Sequence, residues 1–223
     1  MLLPLGIHLD NPTNKIERAG LIADWINASD ADVVLLQEVF HDDAAKIILE
    51  KCSAYESHRS KGFFPGCGLL TLSRIPIEKC SEISLSFRGG LIPLFFSKPI
   101  QVTKIQGGIV VYNLHLASSN YYSNNDSHEH EVIRECKFVR ETILAEQVKN
   151  GGKWIVGGDF NYDRIGFIPE QLKGSTIDDA YKMDLSRTPV VEMDHVFCSG
   201  TITSWEKFSC SSDHLGVNYV IEL

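Results

Sequence analysis

The apolar positions follow two rhythms. From Ile16 onward they recur at Ala19, Ala23 and Ile26, the spacing of a helix that buries one face. Asn11-Pro12 ahead of them reads as an N-cap followed by a first-turn proline. "ADVVLLQEVF", Ala31 to Phe40, has the length and branching of a buried strand. A short helix is predicted from about Asp42 to Lys51, with Ala45, Ile48 and Leu49 inward. "GLLTLSRIPI", Gly68 to Ile77, alternates and runs to a proline, so it reads as another strand. "PIQVTKI" and "IVVYNLHL" flank Gln106-Gly107-Gly108 and predict a hairpin. Val132, Cys136, Val139 and Ile143 mark a long amphipathic helix that Asn150-Gly151-Gly152 would stop. Three more strands are predicted at Trp154 to Val156, Met193 to Phe197 and Val217 to Ile221. Hairpins mixed with helices that return to strands predict an α/β protein of the α+β type. Its helices would cover largely antiparallel sheets.

A chain of 223 residues can bury one sizeable core, so residues 1–223 are expected to form a single domain. No apolar run reaches the ~18 residues that a spanning helix needs. "MLLPLGI" has no basic start and is too short for a secretory signal, which predicts a cytoplasmic protein. The six cysteines are scattered and include no C-x-x-C. They read as reduced, mostly buried thiols rather than disulfides or a zinc site. A net charge of -8 argues against a general nucleic-acid binder, because phosphate backbones are held mainly by Lys and Arg.

Polar residues collect where the strands end. "KWIVGGDFNYD" carries an apolar run through two glycines into Asp159 and Asn161. Period-two alternation puts these two on one side of an extended segment, and the glycines would let a ligand approach the backbone. A carboxylate there can orient a water and an amide can donate to a phosphate oxygen, although both residues are also common in turns. Glu38 closes "VVLLQ" and is either an acid paired with a basic residue or a ligand for a hard cation such as Mg²⁺. Asn113 and His115 share one face of "VVYNLHLAS", and the histidine must find a partner or face a cavity. "SSDHLGV" sets Asp213 and His214 before the last strand. A histidine there can move protons near neutral pH, with Asp194 of "EMDHVF" as a candidate to orient it, or it can be a hydrogen-bonded core residue. His195 reads as a core histidine, and "SHEHE" around His128 to Glu131 reads as a solvated helix start.

Together these residues resemble the endonuclease/exonuclease/phosphatase superfamily of metal-dependent phosphoester hydrolases. The resemblance rests on Gln37-Glu38, Asn113-x-His115, Gly158-Asp159-Phe160-Asn161, Asp194 and Ser212-Asp213-His214, in order over nearly the whole chain. "LLQEVFHDDAAKIILEKCSAYES", "GCGLLTLSRIPI" and "NLHLAS" are most similar to the neutral sphingomyelinase branch. The resemblance implies a DNase I-like, two-layer β-sandwich flanked by helices, with the site at one end. It implies Glu38 as the Mg²⁺ ligand, with Mn²⁺ or another divalent cation as a substitute, and Asp213 in support. Asp159 would position the attacking water, and Asn161 would bind the phosphate together with Asn113. His214, oriented by Asp194, would act as base or stabilise the phosphoryl oxygens, and His115 would hydrogen-bond the phosphate. The family usually opens with a core strand that ends in an asparagine. "MLLPLGI" resembles the segment after it, so the expectation is a sandwich without that strand and with an exposed sheet edge.

The implied reaction is cleavage of a sphingomyelin-like phospholipid. "FRGGLIPLFFSKP", residues 87–99, groups Leu91, Ile92, Leu94, Phe95 and Phe96 between Arg88 and Lys98. An apolar loop with basic flanks can dip into a membrane surface or pack on the core; "GFFPG" at Gly62 to Gly66 could do the same. Competing readings are a nuclease, an inositol or sugar-phosphate phosphatase with the same site, and a binding protein that lost its metal. Oligomeric state is not encoded in any pattern here.

Overall fold

The computed structural model describes residues 2–4, 12–60, 68–85, 99–116, 133–139, 141, 152–161, 194–208 and 216–223. In chain order the elements are β1 (Leu2–Pro4), α1 (Pro12–Ser29), β2 (Val33–Gln37), α2 (Asp42–Lys51), β3 (Glu56–Arg59), β4 (Leu70–Ser73) and β5 (Ile77–Ile83). They continue with β6 (Ile100–Ile105), β7 (Ile109–His115), β8 (Lys153–Asp159), β9 (Asp194–Cys198), β10 (Thr201–Phe208) and β11 (Gly216–Glu222). Two sheets form, ordered β10-β11-β1-β2-β4-β3 and β5-β6-β7-β8-β9. Pairing is parallel at β1/β2 and β7/β8 and antiparallel elsewhere.

Side-chain alternation sorts each central strand into two faces. In the first sheet Val34, Leu36, Leu70 and Leu72 face outward and pack with Ala19, Ile22, Ala23 and Ile26 of α1 and with Ala45 and Ile48 of α2. In the second, Tyr112, Leu114, Trp154 and Val156 face outward and pack with Cys136 and Val139 of a helical stretch at 133–139. Between the sheets Leu35, Ile105, Val111 and Val196 form a third, smaller apolar cluster. The order of layers is therefore helix, sheet, sheet, helix, with helices over the central strands and the β10–β11 and β5 ends of the sheets open to solvent.

The interior between the sheets changes character along the strands. Past Leu35 and Val111 the inward positions become Gln37, Thr71, Gln101, Thr103 and Asn113, all fully buried. Buried polar groups of this kind must be satisfied by one another. Thr71 donates its hydroxyl to Gln101 Oε1 at 2.5 Å. Gln101 Nε2 donates to the His58 carbonyl at 3.0 Å and to Ser60 Oγ at 2.9 Å. His58 Nδ1 lies 2.8 Å from Thr103 Oγ1. The two sheets are thus joined by hydrogen bonds at one end and by apolar packing at the other.

Several sequence expectations change. β2 stops at Gln37 rather than at Phe40. Gly68 to Ile77 is not one strand: β4 ends at Ser73, and after Pro76 the chain joins the other sheet as β5. Three of the strands that patterning missed, β3, β5 and β10, are sheet edges, and β5 and β10 face solvent along most of their length. Such strands lack the apolar alternation that betrays a half-buried one. Ile16 is 44% exposed, so the buried face of α1 starts at Ala19. The slot expected to be empty is filled: β1 lies between β11 and β2, with Leu2 opposite both Val217 and Leu35. β1 contains no asparagine. Val132, Ile143, Asn150, Gly151, the "SHEHE" segment, residues 62–66 and the apolar core of 87–99 lie outside the described residues.

Gly158, directly before Asp159, serves the close approach of two strands. A Cβ on Gly158 would sit 1.9 Å from the Leu114 carbonyl oxygen of β7, at a φ of +145°. Gly158→Ala is expected to lower stability by at least roughly 2 kcal/mol, from strain and the forced separation of β7 and β8. Gly107→Ala, at a φ of +89° with nothing within 4 Å, should lose only about 1 kcal/mol. Urea unfolding of both variants checks this, and equal losses would remove the close approach as the cause.

Burial lowers the pKa of His58 against a weaker upward pull from Glu82. Unfolding then takes up a proton at acid pH, so stability is full above about 6.5, the unfolded value, and falls as pH drops toward the folded value. The melting temperature should decline below about pH 6.5, and His58→Gln should flatten that part of the decline.

Candidate active site

β2, β7 and β8 deliver their last residues to the same end of the sandwich. There Glu38, His115 and Asp159 meet. His115 Nε2 lies 3.4 Å from Asp159 Oδ2 and 4.0 Å from Glu38 Oε1. His115 and Asp159 are almost wholly buried, whereas the Glu38 side chain is 33% exposed. One imidazole nitrogen thus faces two carboxylates from two different sheets. In such surroundings a proton, a cation or both are stabilised between the acids.

The backbone makes this convergence possible. Glu38 has a φ of +59°, the left-handed region that a side-chain-bearing residue occupies only under constraint. The constraint is local. Phe40 N–H donates to the Glu38 carbonyl at 2.8 Å, and Val39 N–H donates to the Gly68 carbonyl at 2.8 Å. Gly68 fits under this turn because it has no Cβ: one would lie 2.8 Å from the Phe40 ring. The turn swings Glu38 out of the strand direction and leaves its carboxylate at the mouth between the sheets.

A second left-handed residue stands at the end of β8. Asn161 has a φ of +52°, and its N–H donates to Asp159 Oδ1 at 2.7 Å. This is an Asx-type turn, so Asp159 and Asn161 are neighbours through a turn and not through strand alternation. The Asn161 side chain donates to the Leu116 carbonyl at 2.9 Å, and Leu116 N–H donates to the Asp159 carbonyl at 2.8 Å. The residues after His115 and after Asp159 are therefore stitched together. Phe160 anchors the turn from below, fully buried and edge-on to His195 and Phe197 with ring centroids 5.4 and 5.6 Å away. His195 is held in an aromatic cluster, but it is half-buried rather than the core histidine that its sequence context suggested.

Asp194 opens β9 directly opposite Asp159 and is 2% exposed. Its negative charge, after burial, helps push the Tyr219 phenol well above its ordinary pKa. Asn113, expected to touch substrate, instead lies between the sheets with no exposure. It accepts from Gln37 Nε2 at 2.7 Å and donates toward the Leu36 and Leu70 carbonyls at 3.2 and 3.4 Å. Period two does put it on the face of His115, but two residues deeper. Asp213 and His214 lie outside the described residues. Gln101 and Thr71 escaped the sequence reading; their signal was a polar residue at an inward position of an otherwise apolar strand.

Among the described residues, no three His, Cys, Asp or Glu side chains are grouped so as to hold a metal ion on their own. Mg²⁺ does not require that, since it keeps several waters and takes one or two carboxylates. Glu38 fits such an ion: an oxygen donor, fixed by its backbone, open to water and beside a second acid. Of the cysteines, Cys52, Cys80, Cys136 and Cys198 are free thiols. Burial pushes Cys52 up to about 11 and raises the other three as well, so none is primed as a nucleophile.

Comparison with solved structures finds the same architecture over almost the whole chain. SmcL superposes with a TM-score of 0.72 at 17% identity, covering 97% of this chain and 96% of its own. A variant of beta toxin from Staphylococcus aureus with bound magnesium ions gives 0.69 at 15% identity, covering 98% of each chain. Truncated TDP2 from Caenorhabditis elegans gives 0.69 at 19% identity, covering 98% of this chain and 94% of its own. No curated protein matches the sequence. The model of the endonuclease/exonuclease/phosphatase family matches residues 10–214, a span that contains Glu38, His115, Asp159, Asn161 and Asp194. The chain belongs to the endonuclease/exonuclease/phosphatase family, and it is a hydrolase of phosphoester bonds.

Proposed function

We propose that the chain is a Mg²⁺-dependent phosphodiesterase that removes the phosphorylated head group of a sphingomyelin-like phospholipid. The observation that carries the catalytic part is the meeting of Glu38, His115 and Asp159 at one end of the sandwich. Glu38, with Asp213 in support, would hold the ion, which when bound supplies positive charge to the phosphoryl oxygens. The beta toxin variant with magnesium ions in the same fold supports that choice. Asp159 has one oxygen fixed by the Asn161 N–H and the other turned toward His115, so it can orient a water with little freedom to rotate. Asn161 spends one amide hydrogen on Leu116, and the second is left to offer a phosphoryl oxygen. His115 is held against two acids and can donate from Nε2 to the phosphate as negative charge builds there. His214, oriented by Asp194, takes the proton of the attacking water.

The lipid substrate is supported by the sphingomyelinase-like segments after Glu38 and by the apolar 87–99 segment with its basic flanks. A net charge of -8 weighs against a polyanionic nucleic acid. In this reading the enzyme works at a cytoplasmic membrane surface, touching it transiently through residues 87–99.

Sphingomyelin vesicles incubated with the protein should release phosphocholine with Mg²⁺ and not with a chelator. Glu38→Ala and His115→Ala should each lower kcat by about a hundredfold or more while the melting temperature in chelator stays near wild type. Hydrolysis of a DNA control with no release from vesicles would replace the lipid reading with a nuclease. Phe95→Ala/Phe96→Ala should slow vesicle hydrolysis severalfold and leave a soluble aryl phosphodiester unaffected. Equal loss on both substrates would place those side chains in the core instead.

A further inference from the structure

The hydrogen bonds between the sheets fix which way each buried amide points. Asn113 Nδ2 faces the Leu36 carbonyl at 3.2 Å and the Leu70 carbonyl at 3.4 Å. Backbone carbonyls only accept, so this end of the side chain must be the NH₂. Asn113 Oδ1 is therefore the atom 2.7 Å from Gln37, and Gln37 must answer with its own NH₂. The same logic applies to Gln101, whose NH₂ faces the His58 and Leu69 carbonyls and whose oxygen faces Thr71 and Asn113. Gln37 and Asn113 are thus locked in one orientation by the backbone of the first sheet. The lock has a cost: Gln37 Oε1 is buried with no hydrogen-bond partner among the described residues. An orphaned acceptor of this kind forfeits about 1–3 kcal/mol.

A fold keeps such a cost where geometry matters. Gln37 is the last residue of β2 and is bonded directly to Glu38, while Asn113 is two residues before His115 on the same face of β7. The 2.7 Å bond joins side chains of β2 and β7 directly, beside the longer bond from Asn113 to the Leu36 carbonyl. It spans the gap between the sheets one residue before Glu38 and two before His115, whose Oε1 and Nε2 stand 4.0 Å apart. We propose that the Gln37–Asn113 amide pair is a clamp that sets the spacing of the two sheets at the active-site end and so positions Glu38 for the metal ion. Both are positioning residues: neither is exposed, so neither touches substrate. The inference rests on the reading of Glu38 as the ion's ligand.

The test is Mg²⁺ affinity, read by calorimetry and by the rise in melting temperature with Mg²⁺, without turnover. Gln37→Met keeps the length of the side chain and removes the donor; Asn113→Leu removes the acceptor. Each should weaken Mg²⁺ binding by about tenfold or more, the range for outer-shell partners of metal ligands. The double variant should be no worse than the weaker single, because either change opens the same clamp. Tyr55→Phe is the comparator. It removes a part-buried hydrogen bond to the Ala31 carbonyl, at the helix-facing core away from the site, and should lower the melting temperature while leaving Mg²⁺ affinity unchanged. If Asn113→Leu does not fold, Gln37→Glu decides alone, since it sets a carboxylate oxygen against Asn113 Oδ1. Wild-type affinity in Gln37→Met and Gln37→Glu would overturn the clamp. Absence of Mg²⁺ binding in the wild type, with Glu38→Ala no different, would overturn the underlying reading instead.

Discussion

The strands β2, β4, β7 and β8 have to satisfy a helix on one face and a second sheet on the other, and that double demand organises everything else. The helix-facing positions are uniformly apolar, because only close packing of side chains such as Leu36, Leu70, Leu114 and Trp154 can hold a helix to a sheet. The sheet-facing positions are free to vary along their length. They begin as Leu35 and Val111 and end as Gln37, Asn113, His115 and Asp159. A reaction centre at the end of a sandwich needs such a gradient: an apolar half to join the sheets and a polar half to meet water and an ion without isolated charges.

Two short distortions turn this gradient into a site. Glu38 and Asn161 both leave their strands through left-handed residues; backbone hydrogen bonds close the first turn, and the Asn161 N–H donating to the Asp159 carboxylate closes the second. Strained residues of this kind persist where the surrounding structure over-determines them. Here the determinants are small: Gly68 under one turn, Phe160 under the other. The outcome is an imidazole between two carboxylates whose positions depend on main-chain geometry more than on flexible side chains.

Much of this was legible in the sequence because helix-facing alternation and turn residues are local signals. α2 appears with the predicted bounds, and the β6–β7 hairpin turns at Gln106-Gly107-Gly108 as expected. Glu38, His115 and Asp159 were legible as polar residues closing apolar runs, and they do come together. What was not legible was non-local. Edge strands carry no apolar stripe, so β3, β5 and β10 had no signature. Asn113 looked like a substrate ligand because alternation tells which face a residue shares and not how deep it lies. Asp159 and Asn161 looked like strand neighbours because they follow an apolar run, yet asparagine is common at left-handed positions and the turn that the sequence also allowed is the one formed. β1 was hidden by its brevity: three residues, one a proline, hold the middle of a six-stranded sheet.

That position of β1 has a consequence for how the chain comes off the ribosome. The β10–β11 hairpin is joined to the rest of its sheet by the pairing of β11 with β1. β1 and β2 can pair early, but the other edge of β1 stays open until residues 216–222 have been made. Between the making of β2 and the making of β11 the nascent sheet therefore carries an unsatisfied strand edge, which is open to intermolecular pairing. The β10–β11 hairpin is a seal on that edge of β1, which stays open to other chains until the hairpin docks.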